Sequence, residues 1–363
     1  MTQKLLPAAE VRAGIVGTGF MGRVHARAVR QAGARLVGVA GRSAARAEQA
    51  RPLLGADRAY RSADELIESG DVDVLHICTP NHLHAPLVLK ALDAGLAVVC
   101  EKPLATDADT AALMAGRAEQ AGVVATVPFV YRFHAMIREA RVRMADIGSV
   151  SLIQGGYLQD WLLEPVDDNW RVDPELGGPG RTLGDIGSHW WDLAEFVTGD
   201  RISRVCGQTA VVVADRVTHS PVLTEDVATV QFATTGGALG SLTVSQVAPG
   251  RKNRLFLEIS GTAASLAFDQ EQPEVLWLGE RSGSRTLQRD PMTLSAAARP
   301  YSPLPAGHPQ GYHDCFEAFV ADTYAAIAGR APDGLPTFED GARAAAISAA
   351  VLDSAREGRW VEC

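Results

Sequence analysis

The residues of this sequence best suited to acid–base chemistry are an aspartate and a histidine four positions apart, Asp185 and His189. If the segment is helical, the two side chains share one face, where the carboxylate can orient the imidazole and raise its proton affinity. Histidine has an unperturbed pKa of about 6.5, which suits proton transfer at neutral pH. The alternative is structural, with a capping aspartate and a hydrogen-bonded interfacial histidine. No third ligand follows at matching spacing, so we expect no bound metal.

Lys102 is the second candidate for chemistry, in the segment 97–104, which reads Ala-Val-Val-Cys-Glu-Lys-Pro-Leu. The apolar run predicts a buried strand, and Glu101 and Lys102 then stand at its carboxyl end, where open α/β sheets bind ligands. Pro103 restricts the local backbone and is compatible with a cis peptide bond. The alternative is that Lys102 is a solvated surface charge.

A glycine pattern near the start of the sequence predicts a dinucleotide site. Residues 17–22 read Gly-Thr-Gly-Phe-Met-Gly, they follow an apolar run, and they open a helical pattern. In such a turn Gly17 permits the tight bend, Gly19 lets the backbone approach a pyrophosphate, and Gly22 allows close helix packing. The alternative is a turn of the same composition in an unrelated α/β protein. The cofactor-binding residues expected in this turn are Gly17, Gly19, Phe20, Met21 and Gly22.

The residues after the second apolar run indicate which dinucleotide binds. In NAD-binding folds, an acidic residue about 20 positions beyond the glycine pattern often holds the ribose hydroxyls. Here the run ends with Arg42 and Ser43, and the next acidic residue is Glu48. Arg42 and Ser43 favour the 2′-phosphate of NADP, whereas an Arg42 that stacks on adenine would serve NAD equally. The further cofactor contacts expected at neighbouring strand ends are Thr79, Pro80, Asn81, His84, Glu101 and Lys102.

Alternating short apolar runs and helical patterns in the first third of the sequence must position these residues. Continuous apolar runs are typical of parallel strands buried on both faces, and helices between them predict right-handed βαβ units. The predicted strands are 11–16, 36–40, 74–78, 97–100 and 123–127, and the predicted helices include 22–32, 43–54, 84–94 and 106–122.

The pattern changes after a junction at 128–150. Successive strands joined by tight turns are predicted at 151–158, 205–213, 227–233, 238–247, 255–260, 264–268 and 275–278, then a loop at 281–309 and helices at 311–328 and 338–356. The predicted fold is an α/β Rossmann domain with a doubly wound parallel sheet at 1–128, followed at 129–363 by an α+β domain with a large, mainly antiparallel open sheet. The second domain is expected to bind substrate and to mediate oligomerisation, and its last helix is able to pack back on the first.

Composition limits the partners and the compartment. The 363 residues carry a formal net charge of −9, which disfavours nucleic-acid binding. No run of 18 apolar residues predicts a membrane span, and the first residues do not form a secretory signal. The five cysteines are widely spaced without a C-x-x-C pair, which is typical of reduced thiols. We therefore expect a cytoplasmic protein.

Taken together, these motifs resemble the family of glucose–fructose oxidoreductase, inositol dehydrogenase and MocA-type rhizopine-catabolism oxidoreductases. The resemblance spans about residues 11–200 and implies an NAD(P)-dependent dehydrogenase or reductase that acts on a sugar, glycoside, polyol or cyclitol. It also implies that Lys102, Asp185 and His189 form the catalytic group. The matching residues are 17–22 with His25, Thr79-Pro80-Asn81 with His84, Glu101-Lys102-Pro103, and Gly184-Asp185 with His189.

Aromatic and arginine residues near these motifs are candidates for the substrate pocket. Aromatic faces pack on the C–H surfaces of sugars, and arginine donates hydrogen bonds to hydroxyls. Packing between the domains is the alternative role for the aromatic residues. The expected substrate-binding residues are Tyr131, Arg132, Trp170 and Arg171 together with the catalytic group, and His308 and Tyr312 are weaker candidates.

The resulting hypothesis is that His189 accepts the proton of a secondary hydroxyl, Asp185 orients His189, and Lys102 stabilises the developing alkoxide while hydride moves to the nicotinamide. Lys102 as the acid–base group is the alternative, and the sequence leaves that choice and the direction of the reaction open. Two other classes also remain open: an enzyme that oxidises a glycoside transiently with tightly held NAD and cleaves it, and a non-catalytic sensor of dinucleotide or sugar. Because an open sheet must bury its uncovered face, we expect a homodimer or homotetramer.

Overall fold

A computed structural model describes residues 10–363 of the chain. These residues pack as two compact units. The first contains the chain through Val130 together with Tyr312–Arg343, and the second contains Tyr131–Gly311 and Ala344–Cys363. The division of functional domains at 128/129 remains a prediction, and the packing places the late segment Tyr312–Arg343 with the first unit.

The first unit is built on a parallel sheet of six strands: β1 (Arg12–Val16), β2 (Arg35–Ala40), β3 (Arg58–Tyr60), β4 (Val74–Ile77), β5 (Ala97–Cys100) and β6 (Ala125–Thr126). Their spatial order is β3-β2-β1-β4-β5-β6. This is the doubly wound strand order of dinucleotide-binding domains. The chain adds β2 and β3 on one side of β1 and then β4, β5 and β6 on the other side, so the order of the strands switches between β1 and β4. The carboxyl ends of β1 and β4 therefore mark the edge where such sheets bind ligands.

Helices connect these strands: α1 (Phe20–Gln31), α2 (Ala44–Leu54), α3 (Ala63–Glu68), α4 (His84–Asp93) and α5 (Ala108–Ala121). Strands β4 and β5 are fully buried along their length, as expected for strands covered on both faces. The predicted Rossmann architecture is confirmed.

The second unit begins with α6 (Ala135–Ile147), and its sheet contains nine strands: β7 (Val150–Leu158), β8 (Ile202–Ala210), β9 (Val227–Thr234), β10 (Leu239–Ser245), β11 (Arg254–Gly261), β12 (Ala264–Asp269), β13 (Val275–Glu280), β14 (Gly283–Gln288) and β15 (Val361–Glu362). The spatial order is β14-β13-β12-β11-β7-β10-β9-β8-β15. Strands β7 and β10 run parallel, and the other neighbours are antiparallel. The predicted mainly antiparallel sheet is confirmed.

Helix α7 (Pro174–Gly177) and helix α8 (Ser188–Thr198) complete the middle of the second unit. Trp190 and Trp191 of α8 are fully buried against the sheet. The Trp190 indole donates to the carbonyl oxygen of Phe256 at 2.9 Å, and a Cβ on Gly155 would lie 2.6 Å from the indole nitrogen. This close packing fixes α8, and with it His189, on one face of the nine-stranded sheet.

Two helices end the chain. Helix α9 (Tyr312–Ile327) lies in the first unit, and α10 (Phe338–Glu357) begins in the first unit and ends in the second. Within the first unit α9 packs on α1, where Arg27 and Glu317 form an ion pair at 2.6 Å.

Candidate active site

The glycine loop follows β1 and leads into α1. Gly17 has a φ of +110°, and a Cβ there would lie 2.4 Å from the carbonyl oxygen of Cys78. A Cβ on Gly22 would lie 2.1 Å from the carbonyl oxygen of Gly17, so both positions need glycine for the fold itself. A Cβ on Gly19 would meet no atom within 4 Å. The space in front of Gly19 is therefore available for a pyrophosphate.

The amino end of α1 also suits an anion. No side chain caps the helix at Gly19, and its first turn contains no acidic residue. The first backbone N–H groups of a helix lack intrahelical acceptors and attract phosphate. Phe20 stands in this turn and is exposed, with 63% of its surface accessible. These features fit a dinucleotide phosphate.

Substitution of Gly19 is expected to separate cofactor binding from stability. Gly19→Ala adds a methyl group where the protein leaves room, so the melting temperature should stay unchanged while the dissociation constant of the dinucleotide rises by about tenfold or more. Gly22→Ala forces a backbone clash and should lower the melting temperature. Thermal denaturation and NADH fluorescence titration measure both effects. Gly116→Ala on α5, also with open space around the added methyl, is the matched control. Unchanged dinucleotide affinity in Gly19→Ala would contradict this placement of the pyrophosphate.

The residues after β2 lie at the start of α2. The Ser43 hydroxyl caps the helix by accepting from the backbone N–H of Arg46 at 3.3 Å. Arg42 and Arg46 are both exposed, and the first turn of α2 contains no acidic residue. Two cations and a helix amino end can hold a phosphate at this position.

The side chain of His84 links the segments that follow β4 and β5. Its ring lies between the carbonyl oxygens of Thr79 at 3.0 Å and Pro103 at 2.9 Å, and it is fully buried. Burial lowers the pKa of His84, and the neighbouring carbonyl groups oppose this shift. Asn81 is also buried in this region. The loop after β4 is thereby held beside the loop that contains Lys102.

Lys102 follows the buried Glu101 at the end of β5 and is half-buried itself. The Glu101 carboxylate accepts from the backbone N–H of Lys102 at 3.2 Å, and the Lys102–Pro103 peptide bond is cis. Burial alone would raise the pKa of Glu101, but a hydrogen bond and electrostatic attraction from His25, together with the nearby Lys102 charge, lower it below its ordinary value. Glu101 is therefore a buried carboxylate that stays ionised beside the lysine.

Asp185 lies in a single π-helical turn, Leu183–Gly187, that continues directly into α8. Such turns are rare and occur frequently at functional sites. The Gln246 side-chain amide donates to one carboxylate oxygen of Asp185 at 2.7 Å, and Arg171 Nε lies 3.3 Å from the other. The carboxylate is thus held from two sides. Sequence reasoning missed Gln246, because no pattern links it to a residue 61 positions away.

A buried glutamate holds the π-helical turn in place. Glu225 accepts from the backbone N–H of Leu183 at 2.9 Å and from that of Arg181 at 3.1 Å. Burial raises the pKa of Glu225. Beneath it, the fully buried Asp226 pairs with Arg181 and with Arg216. Glu225 therefore binds backbone N–H groups at the start of the turn, and the ion pairs of Asp226 hold the adjoining Arg181 side chain.

His189 is buried among aromatic rings of the second unit. The Tyr131 ring packs edge-on at 5.0 Å between centroids, and the Tyr157 ring lies at 6.4 Å. The hydroxyls of Tyr131 and Tyr157 lie 2.5 Å apart, and both contact the side-chain amide of Asn253. The structure therefore brings Tyr131 to His189, as required of a pocket residue.

The remaining substrate candidates have distinct surroundings. The Arg132 guanidinium forms a buried ion pair with Asp192 and packs over the Phe196 ring, and its contact with substrate stays a prediction. Arg171 lies over the Trp170 ring at 4.4 Å in addition to facing Asp185. Trp170 thus contacts Arg171, which in turn faces the carboxylate of Asp185, a candidate catalytic group.

The weaker candidates His308 and Tyr312 lie elsewhere. His308 is exposed, and Tyr312 is at the start of α9, where its hydroxyl lies 3.9 Å from the sulfur of Met21 in the glycine loop. Within residues 10–363, no group of three His, Cys, Asp or Glu side chains is arranged to hold a metal ion. No helix among the described residues has the length and apolar character needed to span a membrane.

Comparison with known proteins identifies the class. A family model described as an oxidoreductase family with an NAD-binding Rossmann fold matches residues 11–129, and a GFO/IDH/MocA C-terminal domain model matches residues 137–267. The matched regions define an oxidoreductase with an NAD-binding domain. The chain belongs to the GFO/IDH/MocA family, which confirms the resemblance seen in the motifs.

Individual relatives cover nearly the whole chain. Levoglucosan dehydrogenase of Pseudarthrobacter phenanthrenivorans is 30% identical, with 96% of this chain and 97% of that protein aligned. Inositol 2-dehydrogenase of Rhizobium meliloti is 28% identical, with 97% and 98% aligned. A solved structure of levoglucosan dehydrogenase with NADH and L-sorbose has a TM-score of 0.91 at 28% identity and covers 97% of this chain and 98% of its own.

Proposed function

We propose that this enzyme transfers hydride between a nicotinamide dinucleotide and a secondary alcohol or ketone of a sugar, glycoside or cyclitol. The observation that carries the proposal is the Asp185 carboxylate, held by Gln246 and Arg171 one helical turn before a buried histidine, in a chain of an NAD-binding oxidoreductase family. The relatives named as levoglucosan and inositol dehydrogenases support the substrate class.

In the proposed reaction the bound nicotinamide supplies the hydride acceptor or donor. His189 takes the proton of the substrate hydroxyl, and Asp185 orients the imidazole for that transfer. The Lys102 ammonium donates a hydrogen bond to the same oxygen and stabilises its developing negative charge. Tyr131, Trp170 and Arg171 contact the substrate, and reduction of a ketone reverses each step.

The cofactor preference belongs to the same proposal. We infer that Arg42, with Arg46 at the amino end of α2, favours NADP, because two cations and the amino end of a helix complement a 2′-phosphate. The kcat/KM ratio for NADP over NAD measures this preference. A ratio below one would overturn it.

The test of the function is a nicotinamide absorbance screen with NAD and NADP against cyclitols, aldoses, glycosides and keto sugars. Reduced cofactor formed in proportion to oxidised product supports the proposal. Release of an aglycone without net reduced cofactor would replace it with transient oxidation and glycoside cleavage. Tight binding of dinucleotide and sugar without turnover would replace it with a sensor.

We further propose that the chain forms a homodimer or homotetramer through one face of the nine-stranded sheet. Along β10, Gly240, Leu242 and Val244 are buried while Leu239 is exposed, with 60% of its surface accessible. Leu152, paired with Leu239 on the same face, and Trp277 add exposed apolar surface. Uncovered apolar area on a sheet favours self-association.

A charge on this face is expected to dissociate the oligomer. Leu239→Glu removes apolar contact area and places a carboxylate where association would strip its water, so sedimentation velocity should show a shift to monomer. Leu113→Glu, on the exposed surface of α5, is the matched control and should keep the wild-type sedimentation coefficient. A wild-type protein that sediments as a strict monomer would contradict the proposal.

A further inference from the structure

Four buried side chains of the first unit, Tyr324, His76, His25 and Glu101, are linked in a line, and we call them the His25–His76 network. His25 Nε2 lies 2.9 Å from Glu101 Oε1, and His25 Nδ1 lies 2.8 Å from His76 Nδ1. His76 Nε2 lies 2.8 Å from the Tyr324 hydroxyl. Glu101, at 6%, is the most exposed member, so water does not compete for these contacts.

The members of the network come from distant parts of the sequence. His25 lies on α1 just beyond the glycine loop, His76 lies in β4, and Tyr324 lies on α9, 248 residues after His76. The ring pairs are edge-on, at 86° for His25 with His76 and 89° for His76 with Tyr324, and Phe316 of α9 packs on His25 at 4.8 Å. Helix α9 thus completes a network that begins beside Lys102.

The proton positions follow from the chemistry of each member. An ionised Glu101 only accepts hydrogen bonds, so His25 Nε2 must carry a proton and donate. In a neutral His25 the other nitrogen then accepts, and His76 Nδ1 donates to it. His76 Nε2 is left as an acceptor, and the Tyr324 hydroxyl donates to it. In this arrangement each of the three contacts is a hydrogen bond, and in each bond the donor points toward Glu101.

The opposite direction requires a different charge state. If His25 carried a second proton, its Nδ1 would donate to His76, and His76 Nε2 would donate to the tyrosine oxygen. Burial, and then the neighbouring His25, lowers the pKa of His76 well below its ordinary value. His76 is therefore neutral in either arrangement, and the two arrangements differ in which of its nitrogens carries the proton.

The network is not a path for protons to solvent. Tyr324 is completely buried, and burial raises the pKa of its hydroxyl well above the ordinary value. The far end of the network therefore lies inside the unit between α9 and β4. The role left for the His25–His76 network is to hold the Glu101 side chain in place.

We propose that Tyr324, His76 and His25 are positioning residues that fix the Glu101 carboxylate by a continuous series of hydrogen bonds, and that Glu101 in turn holds the backbone of Lys102. The last link is the Lys102 N–H that donates to the second carboxylate oxygen at 3.2 Å. A correctly placed ammonium depends on this backbone, since small displacements of a catalytic group cost large factors in rate. This inference rests on the proposed role of Lys102.

The first test determines the proton positions without any activity. Long-range proton–nitrogen NMR of the uniformly labelled full chain reports which nitrogen of each histidine carries the proton, with His25→Gln and His76→Gln used for assignment. We expect His25 to carry a proton on Nε2, which faces Glu101, and His76 to be neutral. A His25 without a proton on Nε2, or a positively charged His76, would overturn the network.

The second test removes one hydroxyl at the far end of the network. Tyr324→Phe keeps the ring and should lower kcat about three- to tenfold, the effect of one hydrogen bond lost from a buried series, with the dinucleotide dissociation constant unchanged. Tyr60→Phe is the matched control, because Tyr60 is equally buried in the same unit and its hydroxyl donates instead to Asp71 at 2.5 Å. The control should lose comparable stability and keep its kcat.

The amide signal of Lys102 separates failure of this inference from failure of the proposed function. Tyr324→Phe should shift that signal, and Tyr60→Phe should not. A shifted signal in an enzyme whose kcat does not depend on Lys102 would support the network and reject the catalytic role. An unmoved signal together with unchanged kcat in Tyr324→Phe would overturn the inference.

Discussion

Replacement of Lys102 by alanine is expected to lower kcat by about two to four orders of magnitude, the range for removal of a positioned acid–base or charge-stabilising group. The dissociation constant of the dinucleotide should change by about threefold or less, because the glycine loop and the amino end of α1 supply the phosphate contacts. Steady-state kinetics with the best substrate of the screen and NADH fluorescence titration measure the two quantities separately.

The chain offers a matched control for this substitution in Lys90. It lies on α4 in the same unit and forms an exposed ion pair with Asp64 at 2.6 Å. Exposed pairs of this kind contribute little, so Lys90→Ala should keep both kcat and dinucleotide affinity. Near-normal turnover in Lys102→Ala would remove Lys102 from the reaction, whereas loss of dinucleotide binding would assign it to the cofactor instead.

The sequence predicted most of the parallel sheet because its strands are buried on both faces. The apolar runs at 74–78 and 97–100 correspond to β4 and β5, all of whose residues are buried. Strand β3 was not predicted, since it has only three residues and one of them is buried. Continuous apolar sequence therefore identified central strands, while a short edge strand gave no such signal.

Two elements outside the parallel sheet were misjudged for related reasons. The segment 128–150 was interpreted as a junction but contains α6, on which Arg138 and Glu139 are buried at 2% and 1% exposure. Buried charges conceal the apolar periodicity that identifies a helix. The predicted loop 281–309 contains β14, an edge strand with no buried residue and hence no alternation to detect.

Only the residues of the candidate site that belong to short sequence motifs could be predicted from the sequence. Lys102 was placed at a strand end and Asp185 beside His189, because short patterns encode both positions. The groups that hold them are distant: Gln246 contacts Asp185 across 61 residues, and Tyr324 contacts His76 across 248. Tertiary packing alone creates these pairs, so the sequence identified the reactive groups and not their supports.

His189→Asn is expected to lower kcat/KM by about two to four orders of magnitude and to change its pH dependence. If His189 accepts the substrate proton, the wild-type value should rise with pH, because the neutral imidazole is the active form. The variant lacks that group and should lose this limb of the profile. Measurement of kcat/KM across pH in wild type and variant decides the point.

The same experiment separates the two possible proton acceptors. If Lys102 takes the proton, the pH limb should persist in His189→Asn, since the titrating group is still present. His219→Asn is the control, because His219 also pairs with a carboxylate of the second unit, Asp168 at 2.6 Å, and has no part in the proposed reaction. A limb that persists in His189→Asn at nearly wild-type rate would return His189 to a structural role. A limb lost in both histidine variants would show that it reports on the fold instead of on proton transfer.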